Sequence, residues 1–558
     1  MTAADWIFHG GAIHTMAGPM TDAVAVRDGV IVALGDVRSW LGPRTEVVNL
    51  DGGALLPGFQ DAHVHPLPAG LQLTGCDLSG VHSLADYRAL IAAHVAGASP
   101  TPNLRGGASP TSDPRGGAWV LGSGWYGDVF PGGFPDRHEL DRLIPDRPAA
   151  FLSHDAHGVW VNSVALARAG IDRDTPDPHA GVIHRDAAGE PTGMLSDAAA
   201  DLVLRLVPAP DRAAQEQALR TAQSYLHRLG VTGWQDAAIG AVLGGPDPYD
   251  TYRAAEAAGW LTAKVTGALW WDRDAGLEQI ERHLARRHET AGKKFRTTAI
   301  KIMQDGVCEN LTAAVLSPYA NVPHTHGLSF IEPEALAEVV RRLGAERFDV
   351  HLHAVGDRAV RECLDAIEAS DRAWDHRHQI AHIDLIDPAD VVRFSLLKVI
   401  ANLQPLWARR DPVLVETKLP YLTAAQQEMH FAFGTLAAAG APIALGSDWP
   451  VSSPDPLWGL HTAVNRTAPA ADPHAQDVRA QTEPLLSGER LALSAALQAY
   501  TIGAARASRR DDTTGSIEFG KAADLVVLDA DPYAVPASSL SAIRVRSTFA
   551  DGVAVHHI

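Results

Sequence analysis

The stretch TTAIKIMQDGVCEN, residues 297–310, decides how the chain is read. Ile300, Ile302 and Met303 have the apolar character of a buried strand, yet Lys301 sits among them, just ahead of a polar turn. A lysine cation is almost never buried without a partner. The same form, an apolar run that closes on a reactive side chain, recurs along the chain. It appears in LLPGFQDAHVHP (55–66), GVTGWQDA (230–237), AKVTGALWW (263–271), FDVHLHAVG (348–356), HQIAHIDL (378–385), VIANLQP (399–405) and PIALGSDWP (442–450). Alternating with Ala-, Leu- and Arg-rich helical segments, these eight runs predict an α/β fold, a (β/α)8 TIM barrel. His, Asp, Lys or Gln collects near their C-terminal ends, the barrel face that carries catalytic groups.

Outside the barrel the pattern changes. Residues 5–56 alternate short apolar runs with Gly and Asp turns, as in DAVAVRDGVIVALGD, which reads as a β-meander. The C-terminus repeats this style in GSIEFGKAADLVVLDADP and IRVRSTFADGVAVHHI. Neither end suffices for a domain alone. Residues 1–57 and 505–558 are therefore expected to build a small composite β-sandwich domain around a barrel spanning 58–504. The first two barrel strands are separated by roughly 165 residues, whereas a βα unit takes about 30. A large insertion, about 75–215, is expected to fill that gap. Within it, residues 96–119 are rich in Gly, Pro and Ser and read as a flexible surface loop.

Composition excludes several classes of function. With 47 Lys and Arg against 66 Asp and Glu, the formal charge is −19. No basic run offsets it, which argues against nucleic acid or an anionic membrane as partner. No apolar run approaches the ~20 residues that cross a bilayer. The N-terminus MTAADWIFHGGAIHTM lacks a basic start and an apolar signal core, so a cytoplasmic location is expected. Cys76, Cys308 and Cys363 are scattered, as in a reducing compartment. Histidine, by contrast, occurs 26 times, and it is the commonest metal ligand and acid–base group.

His63 and His65 alternate in DAHVH, so both point to one face of a strand and can grip one metal ion. His351 and His353 form a second such pair, of which one would be a ligand and the other packing or support. His382 closes QIAHIDL and Asp448 closes LGSDWP. Each signal is ambiguous singly, and Asp448 could simply cap a helix. Their succession along the strands of one barrel is what makes chance a poor explanation. Asp305 reads equally well as a turn cap or a substrate contact, and Cys308 as a small apolar loop residue. Trp125, Trp271, Trp407 and Trp449 are core by default, although several near one site would make it aromatic-friendly.

With these motifs in this order, the chain resembles the amidohydrolase superfamily. The carriers are LLPGFQDAHVHP, KIMQDG, HLHAVGDRA, QIAHIDLI, GSDWPVSSPDPLWGL and the closing TIGAARAS…TGSIEFGKAADLVVLDADP. More narrowly it is similar to the YtcJ-like, family-3 amidohydrolases, through GSGWYGDVFPGG, SHDAHGVWVNSVALARAGI and GEPTGMLSDAA. DGVCENLTAAVLSPY resembles the branch that includes N-substituted formamide deformylases. The resemblance implies that His63, His65 and Asp448 hold one divalent ion and that His353 and His382 hold a second. Lys301, as a CO2-derived carbamate, would bridge them. An ammonium between two dications would be repelled, whereas a carbamate supplies oxygen anions. Zinc suits the imidazole and carboxylate donors, with iron or manganese as alternatives. Two such ions activate water and polarise a carbonyl. Asp448 would pass the proton on to the leaving amine. His157, in DAHGVWVN, is a further catalytic candidate. The implied reaction is hydrolysis of a non-peptide C–N bond in a small, partly apolar substrate such as an N-substituted formamide or N-acyl amine. Alternatives are a cyclic amide, lactone or carbamate on the same site, or a non-catalytic scaffold. The resemblance also carries the expectation of a homodimer.

Overall fold

The computed structural model describes residues 3–97, 119–154, 158–178, 181–242, 245–370 and 373–557. Most of the segment read as a flexible loop, 98–118, lies outside them. The chain divides into two compact units, the first made of 1–65, 223–240 and 249–558, the second of 66–222 and 241–248.

The first unit contains an eight-stranded sheet in which every neighbouring pair is parallel. Its strands follow chain order: Phe59–Val64, Val231–Ile239, Lys264–Trp270, Phe295–Met303, Asp349–Ala354, Gln379–His382, Ile400–Leu403 and Ile443–Leu445. These match the eight runs read from the sequence. The first, second and fifth to seventh strands are buried along almost their whole length. With both faces covered, even their polar side chains are buried: Gln60, Asp61 and His63 in the first, Gln235 and Asp236 in the second, and His351 in the fifth. The eighth and first strands are joined just past their C-terminal ends by backbone bonds instead of a ladder. Asp448 N–H donates to His63 O (2.7 Å), and His65 N–H donates to Trp449 O (2.9 Å). The sheet is thus a nearly closed barrel.

Two helices of this unit start where the sequence supplies a cap. In IDPAD and PDPLW an Asp side chain accepts from the first turn and Pro follows at the first helical position, over Pro388–Leu397 and Pro456–Asn465. No helix among the described residues is long and apolar enough to cross a membrane.

A second sheet of the same unit joins strands from both ends of the chain. Its order is Val553–His557, Val545–Ala550, Leu525–Leu528, Ala54–Pro57, Trp6–Ile13, Thr21–Arg27 and Val30–Leu34, with Glu46–Asn49 pairing Trp6–Ile13. Phe8, Val24, Val26, Leu55, Leu525 and Phe549 pack together in its core. Two hairpins turn on Asp-Gly pairs, Asp28-Gly29 and Asp551-Gly552, with φ positive at both residues of each. That is the conformation tight antiparallel hairpins demand.

The second unit carries a six-stranded sheet: Gly181–Arg185, Pro191–Asp197, Gly158–Val161, Ala149–Ser153, Val120–Trp125 and Cys76–Asp77. Trp125, Phe151 and Trp160 pack in one apolar cluster, and Val159, Val161 and Leu195 in another.

Candidate metal centre

The barrel strands bring six of the predicted donors together. His63 lies on the first strand, with His65 just beyond it; Lys301 is on the fourth, His353 on the fifth and His382 closes the sixth. Asp448 follows the eighth. The Asp448 carboxylate oxygen Oδ1 lies 3.0 Å from His65 Nε2 and 3.5 Å from His63 Nε2. One donor atom from each of these three lies within 4.8 Å of the others. The ammonium nitrogen of Lys301 is 3.4 Å from His63 Nε2. The rings of His353 and His382 lie 4.4 Å apart, and those of His63 and His382 4.8 Å apart, so the two groups form one cluster.

Burial sets the protonation of this cluster. It holds the imidazoles of His63 and His382 well below the usual histidine range, and nearby cationic groups, Lys301 among them, act in the same direction. Both are therefore neutral and able to act as ligands. Burial also pushes the Lys301 amine down to about 7, against a smaller opposing pull from Asp448. Lys301 forms no ion pair among the described residues. Nδ1 of His382 is buried with no hydrogen-bond partner among them. A buried lysine that faces an imidazole instead of a carboxylate partner is hard to reconcile with a purely structural core. The donor set fits divalent cations.

Strain marks the same places. His382, Ile383 and Asp448 take positive φ, at 78°, 52° and 56°. Such conformations cost about 1–3 kcal/mol each and persist where the surroundings enforce them. Supporting contacts do so here. Asp61, two residues before His63, accepts from Ser447 Oγ (2.6 Å), from Ser447 N–H and from His63 N–H (both 3.0 Å). Burial raises Asp61 to about 7 against the downward pull of these donors. Gly446 is needed between these strands, because a β-carbon there would lie 2.5 Å from His63 N and 3.0 Å from Asp61 Oδ1.

Of the His351/His353 alternatives, His351 turns its Nε2 to His63 Nδ1, at 2.9 Å, while His353 packs on His382. His351 is thus placed to orient His63, as partners of metal-binding imidazoles do. Sequence reading overlooked Asp61, whose only signal was its spacing of two before His63 in DAHVH. His157 lies outside the described residues. Among the tryptophans, Trp407 lies parallel to His382 (5.3 Å, 6°) and Trp449 stacks on Tyr225 (5.3 Å). Trp271 is buried beside His283. Trp125 is core of the second unit, its indole N–H donating to Phe151 O. Cys308 packs with Ala313, Val315 and Tyr319, and burial raises its thiol far above the usual range, so it is inert filling.

Residues 46–556 match the family described as "Amidohydrolase family", and the chain belongs to that family. It is similar to "Putative amidohydrolase YtcJ" of Bacillus subtilis (strain 168), 31% identical over 99% of each chain. It is 28% identical to "N-substituted formamide deformylase" of Arthrobacter pascens, over 95% of this chain and 94% of that one. In fold it resembles an uncharacterized metal-dependent hydrolase from Pyrococcus horikoshii, with a TM-score of 0.72 and 22% identity, over 95% of this chain and 99% of that chain.

Proposed function

We propose that this amidohydrolase is a two-metal enzyme cleaving a non-peptide C–N bond in a small, partly apolar amide. An N-substituted formamide or related N-acyl amine is the favoured substrate class. The observation that carries this reading is the convergence of His63, His65, His353, His382 and Asp448 on a buried Lys301. Similarity to an N-substituted formamide deformylase supports the substrate class.

His63, His65 and Asp448 would hold one divalent ion, zinc by preference with iron or manganese as alternatives, and His353 and His382 a second. Bound there, the ions supply an activated water and polarise the substrate carbonyl. Lys301 would serve both as its carbamate. Its buried amine, shifted down to about 7, is available in the neutral form that attacks CO2. The nitrogen–carbon bond forms as one C=O bond opens to an oxygen anion, and one proton leaves. Asp448, 3.0 Å from His65, is placed to take the proton of the attacking water and deliver it to the departing amine nitrogen. The indole of Trp407, parallel to His382, would give the substituent on the amide nitrogen an apolar wall.

The test is turnover by the purified, metal-loaded protein of aryl and alkyl formamides, longer acyl amides and lactones. Formamides or acyl amides are expected to be hydrolysed to amine and acid. Cleavage of lactones with no amide turned over would overturn the proposed bond specificity.

A further inference from the structure

Asp305, four residues beyond Lys301, is fully buried and has no part in the chemistry above. Its carboxylate accepts three backbone hydrogen bonds. Val355 N–H donates to Oδ1 (2.9 Å), and Gly356 N–H (2.8 Å) and Ala314 N–H (2.9 Å) donate to Oδ2. Val355 and Gly356 lie just past His353 in the chain, whereas Ala314 belongs to the loop after the fourth strand. One side chain thus joins the end of the strand that bears Lys301 to the end of the strand that bears His353. The main chain on either side of Asp305 closes on the same histidine. Gln304 N–H donates to His353 O (3.1 Å), and Gly306 O lies 3.3 Å from His353 Nε2. Asp305 Oδ1 itself is 3.7 Å from that nitrogen. The loop is fastened in turn to the first turn of helix Asp357–Glu368. Ala314 O accepts from Arg358 and Ala359 N–H, and Leu316 N–H donates to Asp357.

A carboxylate with three N–H donors needs an acceptor-only side chain; an amide would turn its own N–H2 toward one of them. We propose that Asp305 is the positioning residue that sets His353 at its working distance from Lys301. This role rests on the two-metal reading. The conservative change Asp305→Asn is expected to weaken binding of one of the two ions about 10–100-fold, the size typical for partners behind a ligand. The other ion should be retained. Asp349→Asn serves as the structural control, because Asp349 anchors the opposite end of the same strand through Arg509 and Arg377 N–H. It should lower thermal stability and leave metal affinity unchanged.

Zinc per chain would be measured by elemental analysis, zinc affinity by chelator competition, and melting of the metal-free proteins by calorimetry. Selective loss of one ion in Asp305→Asn, at equal or higher melting temperature than Asp349→Asn, supports the role. Two ions at wild-type affinity in Asp305→Asn would overturn it and leave the two-metal reading intact, as would equal loss of affinity in both variants. A wild-type content of one ion per chain would instead overturn the two-metal reading itself.

Discussion

At Lys301, three facts converge: complete burial, an imidazole as its hydrogen-bonding neighbour, and no ion pair among the described residues. An ammonium left so is costly, which favours its conversion to an anion held by metals. Lys301→Ala should therefore lose both bound metal and hydrolytic activity. Short carboxylic acids added in millimolar amounts should restore part of each, by offering the missing oxygens. Near-normal metal content and turnover in Lys301→Ala would refute the bridging role. The candidate ligands were legible in the sequence because each closes an apolar run, where a strand exposes its end. Asp305's three partners were not, since they come from residues 314, 355 and 356 and meet only when two loops fold together. The positive φ of His382, Ile383 and Asp448 left no mark either, since none is glycine.

At the scale of elements, the eight barrel strands were readable as short apolar-rich runs set between helical segments. The six strands of residues 76–197 were not read. They are short, one of only two residues and three of four or five, and several are broken by Gly or Pro, so no periodicity builds up within them. Helix Arg212–Arg228 carries in its last turn a residue with a measurable consequence. His227 is buried, with Nδ1 2.8 Å from Val231 O and Nε2 2.8 Å from Thr262 Oγ. Burial holds its pKa down at about 4, from an ordinary 6.5. Between these values the unfolded chain binds more protons than the folded one, so stability falls as pH drops from about 6.5 to 4. Above 6.5 the penalty vanishes. The span corresponds to about 3 kcal/mol. For metal-free protein, urea unfolding at pH 7 and pH 4.5 should show wild type losing more stability than His227→Gln. Equal losses would contradict this placement of the proton.

At the scale of the molecule, barrel and terminal sheet are joined inside the first unit by a buried charge cluster. Lys264, at the start of the third barrel strand, contacts both carboxylate oxygens of Asp524, at 2.9 and 2.7 Å. Asp524 also accepts from Thr514 Oγ (2.7 Å) and Asp551 N–H (2.9 Å). Asp524→Ala would leave the Lys264 ammonium with Asp551 alone. It should cost on the order of 3 kcal/mol, seen as a lower urea midpoint with metal content unchanged. A midpoint equal to wild type would show that the cluster is not what fastens the sheet to the barrel. The pairing of the two chain ends was suggested by their matching β-style. This contact was not, because a lone Lys in AKVTGALWW carries no sign of a partner some 260 residues away.

The proposed two-metal site is tested most directly by crystals of the purified protein, with anomalous scattering recorded at the zinc, iron and manganese edges. Two peaks are expected, one among His63, His65 and Asp448 and one beside His353 and His382. Density for a carboxylate should extend from the Lys301 nitrogen. A single peak, or an unmodified amine at Lys301, would contradict the site.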